Sequence, residues 1–142
     1  EKLAKYTLLK DSAIIHSINM LKIIIESGSL AFEAELTDTA KSQSVYEALP
    51  ITAAANTWGK EIYFSIPVQA DLDANATDQL PVGSIAYWPP SNAFCIIWGP
   101  TPASHRDEPR FASLVNNLGK ISSDLSELNQ INDGDEIRIA KG

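Results

Sequence analysis

The run Leu21-Lys22-Ile23-Ile24-Ile25-Glu26-Ser27-Gly28-Ser29-Leu30-Ala31-Phe32-Glu33-Ala34-Glu35-Leu36 decides the fold class. In its second half Leu30, Phe32, Ala34 and Leu36 alternate with Ala31, Glu33 and Glu35. Successive side chains of a strand point to opposite faces, so a period of two gathers the apolar set on one side. Glu26-Ser27-Gly28-Ser29 is turn chemistry that joins this strand to the apolar run Leu21 to Ile25, and the whole predicts a β-hairpin.

The same grammar continues towards the C-terminus. Asp38 or Thr39 can cap a helix reaching about Leu49, with Val45, Ala48 and Leu49 facing inward, and Pro50 stops it. Strand-like runs follow at Ile51 to Asn56, Glu61 to Ile66, Ser84 to Trp88, Ala93 to Trp98 and Leu114 to Ile121. Gly59, Pro67, Pro81-Val82-Gly83, Pro89-Pro90 and Gly99-Pro100 punctuate them. Leu125, Leu128 and Ile131, three residues apart, predict a second short helix from about Ser123. Asp133-Gly134 then turns the chain into a last strand in which Ile137 and Ile139 alternate with Glu136 and Arg138. Many short strands with frequent turns favour a closed barrel or a sandwich over an α/β layer fold. Towards the N-terminus, Ile14, Ile15 and Ile18 suit a helical face or a strand equally.

Composition narrows the partners. The chain has 142 residues, 18 acidic against 11 basic side chains, a net charge of -7 and one Cys. A domain of that length buries roughly 70% of the surface its unfolded chain exposes, so neither disulfide nor metal is needed for stability. The acidic excess argues against nucleic-acid and membrane partners. Apolar runs such as Ala93 to Trp98 are far shorter than the roughly 20 residues of a membrane-spanning helix. Residues Glu1 to Asp11 lack the apolar core of a secretory signal, so a cytoplasmic location is the expectation.

Several longer segments carry a resemblance. Asn56-Thr57-Trp58-Gly59-Lys60-Glu61-Ile62-Tyr63-Phe64, Gly83-Ser84-Ile85-Ala86-Tyr87-Trp88-Pro89-Pro90 and Phe94-Cys95-Ile96-Ile97-Trp98-Gly99-Pro100-Thr101-Pro102 occur in that order. Val115-Asn116-Asn117-Leu118-Gly119-Lys120-Ile121 and Asp133-Gly134-Asp135 follow. Together they resemble a prokaryotic family of cyclophilin-like (atypical cyclophilin) proteins of largely unknown function, over Met20 to Ala140. The resemblance implies a mainly β fold, a closed barrel of about eight strands with two short helices. It also implies a barrel domain over residues 20–142, with residues 1–19 an N-terminal extension that has no counterpart in the family.

A fold name is not an activity. Active cyclophilins carry an aromatic-His-Arg segment and a later Gln-to-Gly-Asp stretch, and neither is found here. The one His-Arg pair, His105-Arg106, follows Ser104 in a Pro-rich loop. Peptidyl-prolyl isomerase motifs being missing, a divergent isomerase using Arg106 or Arg110 is the alternative and not the leading reading.

The leading reading is a binding module without cofactor or metal. Trp58, Tyr63, Tyr87, Trp88 and Phe94 cluster in the segments that carry the resemblance, with Glu61 on the same strand face as Tyr63. Tyr and Trp join broad apolar area to a polar tip, which suits a small molecule or an extended peptide. The same aromatics can also simply fill and rim a small barrel, or anchor a homo-oligomer. Cys95 sits in an apolar strand with no His nearby in sequence, which is the setting of a buried thiol and not of a nucleophile. With one Cys and two distant histidines, His16 and His105, a zinc site is not expected. Asp71, Asp73 and Asn75 begin like a calcium loop but lack its later Gly and Glu, and read as a solvated acidic loop.

Overall fold

The computed structural model describes residues 20–142. The expected N-terminal extension, residues 1–19, with Ile14, Ile15, His16 and Ile18, lies outside the described residues. Strands β1 (Leu21–Ser27) and β2 (Leu30–Leu36) form the hairpin, with Leu21 opposite Leu36 and Ser27 opposite Leu30. Ile23, Ile25, Phe32, Ala34 and Leu36 are buried while Lys22, Ala31 and Glu33 are exposed, as the period of two requires. Helix α1 (Ala40–Glu47) is capped by Thr39, whose hydroxyl accepts the Ser42 amide at 3.1 Å. It buries Ser42 and Val45 against the barrel, and Pro50, joined to Leu49 by a cis peptide, opens the following strand.

Strands β3 (Ile51–Ala54), β4 (Asn56–Thr57), β5 (Glu61–Ser65), β6 (Ser84–Trp88), β7 (Ala93–Ile97), β8 (Asn116–Ile121) and β9 (Glu136–Lys141) complete an antiparallel sheet. Its order is β3-β9-β1-β2-β8-β6-β7-β5-β4. The two ends of that order, β3 and β4, are neighbours in the chain, separated by Ala55 alone. One continuous segment therefore pairs with β9 through its first half and with β5 through its second, which brings the sheet nearly to closure. Ala55 holds the crossing: its N–H donates to Asp135 O and its carbonyl accepts from Gly134 N, both at 2.8 Å. The expected single strand from Ile51 to Asn56 is thus two, and the barrel has nine strands.

The expected second helix is a 3₁₀ turn, Ser126–Gln130. Leu128 N donates to Leu125 O and Ile131 N to Leu128 O, so the spacing of three in the sequence is the 3₁₀ repeat itself. Another 3₁₀ turn, Pro89–Ser91, links β6 to β7.

Two apolar clusters result. One fills the barrel and includes Ile25, Phe32, Phe64, Tyr87, Phe94 and Ile139. The other lies on the outer face of the sheet, where Ala86, Ala93, Cys95 and Ile97 are covered by Phe111 and Val115. Strand β7 is consequently buried on both faces, which explains its unbroken apolar sequence.

Candidate functional site

The site is built on that outer face. In β5, Ile62 and Phe64 are inside the barrel, so Glu61 and Tyr63 take the opposite face. Register extends the face across the sheet: Tyr63 is opposite Cys95, Cys95 opposite Ala86, and Trp88 opposite Ala93. A loop from Gly99 to Ser113 crosses over it. Between loop and sheet lies a cavity of about 230 Å³ lined by Trp58, Glu61, Tyr63, Trp88, Phe111 and Ala112.

Each wall has a local cause. Trp58 belongs to the tight turn between β4 and β5, where its N–H donates to Glu61 O at 2.9 Å. Gly59 allows that turn with φ +62, and a Cβ there would stand 2.7 Å from Thr101 Cα. The turn and the covering loop therefore touch backbone to backbone, and Lys60 N donates to Pro100 O at 2.9 Å. Trp88 is held from the loop side, its Nε1–H donating to Ser113 Oγ at 2.7 Å. Phe111 is buried, its N–H bonded to Asp78 O at 2.8 Å.

The loop is tied down by its own charges. The Glu108 carboxylate accepts from the His105 and Arg106 amides, at 2.7 and 2.9 Å, and from Arg110 Nε at 3.0 Å. Those donors pull the Glu108 carboxyl down to about 2. Arg110 also reaches Asp78 Oδ1 at 3.1 Å and Gln79 Oε1 at 3.0 Å. Arg110 is thus a strut of the loop, and neither it nor Arg106 lines the cavity.

Glu61 is the electrostatic centre. Only 5% of it is exposed. Burial pushes its carboxyl up to about 7, a rise that the neighbouring Cys95 thiol opposes only in part. Cys95 is fully buried beneath, and its own ionisation is pushed well up by burial and by the neighbouring carboxylate. A thiol so placed is no nucleophile. The cavity can accept a hydrogen-bond donor or a cation at Glu61 and apolar matter against its rings.

Of the expected site residues, Trp58, Glu61, Tyr63 and Trp88 converge. Tyr87 and Phe94 are not brought together with them. Both are fully buried inside the barrel, where Phe94 stacks on Phe64 with centroids 5.4 Å apart. The Tyr87 hydroxyl donates to Val68 O at 2.7 Å and accepts the Ala70 amide at 3.2 Å, so it anchors the chain after β5. Strand parity is the reason: Tyr87 adjoins Trp88, Phe94 adjoins Cys95, and adjacent strand residues face opposite ways. Phe111 and Ala112 were not foreseen. Their one sequence signal is that Phe111 is the sole bulky apolar side chain between Pro100 and Leu114.

Asp73 also has a definite role. It accepts from Asn116 Nδ2 at 2.7 Å and from the Asn75 amide at 2.8 Å, so the acidic loop is pinned to β8.

A nearly closed antiparallel barrel of this kind is a cyclophilin-like architecture. The family model described as cyclophilin-like matches residues 19–140, and the chain belongs to that family. It is similar to the solution structure of a hypothetical protein from Archaeoglobus fulgidus, with a TM-score of 0.74 and 31% identity. That likeness covers 87% of this chain and 95% of the archaeal one. No curated protein matches the chain. Among the described residues, no helix is long and apolar enough to cross a membrane.

Proposed function

We propose that this protein is a non-catalytic binding module that holds a small molecule, or one side chain of an extended peptide, in the cavity beneath the 99–113 loop. The observation that carries the reading is convergence. Trp58 and Tyr63 of the β4–β5 hairpin, Trp88 of β6 and Phe111 of the covering loop come from three separate stretches of the chain and surround one buried polar group, Glu61. Pockets for organic ligands have this make-up, mostly apolar walls with few polar groups that fix orientation. Size selects among ligands. A cavity of about 230 Å³ exceeds the roughly 150 Å³ that admits benzene and falls below the roughly 300–1,000 Å³ typical of drug-sized ligands. A compact metabolite or a single inserted side chain suits it, and a long groove-filling peptide does not.

Tryptophan fluorescence titrated with a metabolite and short-peptide library is the test, since Trp58 and Trp88 both stand in the wall. Trp58→Ala and Trp88→Ala are expected to lose the binding seen in the native chain. Variants that keep their fold and every detected ligand would overturn the site.

A further inference from the structure

We infer that the ligand is an alkylammonium ion, its charge against Glu61 and its alkyl groups against the faces and edges of Trp58, Tyr63, Trp88 and Phe111. This deepens the binding reading and rests on it. The walls other than Glu61 are four aromatic rings and a methyl group, Ala112. Aromatic rings carry a negative face, and a desolvated cation over such faces gains more than at an exposed site. Among the described residues no lysine or arginine lines the cavity, so no cationic side chain competes for Glu61 there.

Glu61 itself is the second observation. A carboxylate withdrawn from water is costly unless a counter-charge or good hydrogen bonds compensate it. Among the described residues no side-chain donor is hydrogen-bonded to it, and the thiol of the adjacent Cys95 is directed to Ala93 O, 3.9 Å away. Burial has driven the group up to about 7, because its charged form is poorly compensated in this setting. An ammonium ion supplies the missing counter-charge. A neutral apolar guest would leave the carboxyl as poorly solvated as before, and an anion would oppose it.

The probes are choline, its uncharged isostere 3,3-dimethylbutan-1-ol and acetate, titrated into the full chain by calorimetry and tryptophan fluorescence at pH 8. Choline is expected to bind at least about tenfold more tightly than the isostere, and acetate not to bind. Glu61→Gln should bring choline and isostere to within about threefold of one another. The comparison within the native chain does not depend on how that variant folds. A pentapeptide bearing trimethyllysine serves as a further arm. Tighter binding of the peptide than of choline assigns the ammonium to a peptide side chain, tighter binding of choline to a free metabolite, and either supports the proposal. An isostere that matches choline in the native chain overturns it, as does choline binding undiminished in Glu61→Gln, or no saturable binding by choline and the peptide. If neutral or anionic library members then bind at Trp58 and Trp88, the binding reading stands and only the charge assignment falls.

Discussion

The rings of Tyr63 and Trp88 meet edge to face, 6.2 Å between centroids and 73° between planes, although strand β7 runs between their own strands. They can reach each other because β7 presents Cys95 opposite Tyr63 and Ala93 opposite Trp88. Two small side chains leave room above the strand for two large ones. The contact adds about 0.5–1.5 kcal/mol beyond area burial and forms one wall of the cavity.

Ala93→Leu tests that arrangement. The larger side chain enters a fully buried position beneath Trp88 and lifts the ring. Overpacking of this kind costs about 1–3 kcal/mol, read as a lower denaturant midpoint at unchanged slope. The near-ultraviolet dichroism of the Tyr63–Trp88 pair should fall with it.

Tyr87→Phe separates core from site. It removes the hydroxyl that donates to Val68 O and accepts from Ala70 N, leaving two partly buried backbone groups without that partner. The expected loss is about 1–3 kcal/mol of stability. Ligand affinity should stay unchanged, because Tyr87 faces the barrel interior. An affinity loss as large as that of Trp88→Ala would return Tyr87 to the site.

Glu61 makes stability depend on pH in a definite direction. Its carboxyl rises from an ordinary 4.5 to about 7 on folding, so the folded chain binds the proton more tightly than the unfolded chain. Its contribution is fully present below about pH 4.5 and is lost as pH rises through about 7. A difference of about 2.5 units corresponds to at most about 3 kcal/mol. Glu61→Gln, which keeps the shape and removes the titration, should therefore unfold at higher denaturant than the native chain at pH 8. The two should draw together at pH 5. Parallel pH profiles for variant and native chain would refute the buried carboxyl.

Gly119→Ala tests barrel closure. Gly119 pairs with Leu36 of β2 and Ile85 of β6. A Cβ there would overlap the Glu35 carbonyl oxygen and stand 2.8 Å from Leu36 Cα. Neither obstacle is the far end of a flexible side chain, so β2 and β8 must part. We expect a loss of more than about 3 kcal/mol, seen as a fall in soluble yield and in melting temperature. Leu118→Val, a small change in the same strand, should cost about 1 kcal/mol.

Much of the barrel was legible because its determinants are local. The alternation from Leu30 to Leu36, the cap at Thr39 and the prolines and glycines between strands all act over a few residues. The second helix is 3₁₀ in geometry, and the sequence leaves that open because a spacing of three is shared by an α-helical stripe and a 3₁₀ repeat; Leu125, Leu128 and Ile131 follow the latter. The ninth strand was hidden because Ala55 interrupts no sequence pattern. Only the separate pairing of β3 with β9 and β4 with β5 divides the run.

For the site, the sequence by itself determined which residue types were at hand and, through strand parity, that Glu61 and Tyr63 share a face. It could equally have separated Tyr87 from Trp88 and Phe94 from Cys95 by the same parity. What it could not decide is which face of β5, β6 and β7 meets the barrel interior, since apolar residues occupy both. That choice belongs to the tertiary structure. Barrel closure buries Tyr87 and Phe94 on one side, and the 99–113 loop, pinned by Glu108 and Arg110, brings Phe111 down on the other. The cavity exists only where those two long-range events meet, and no local pattern of residues records their meeting.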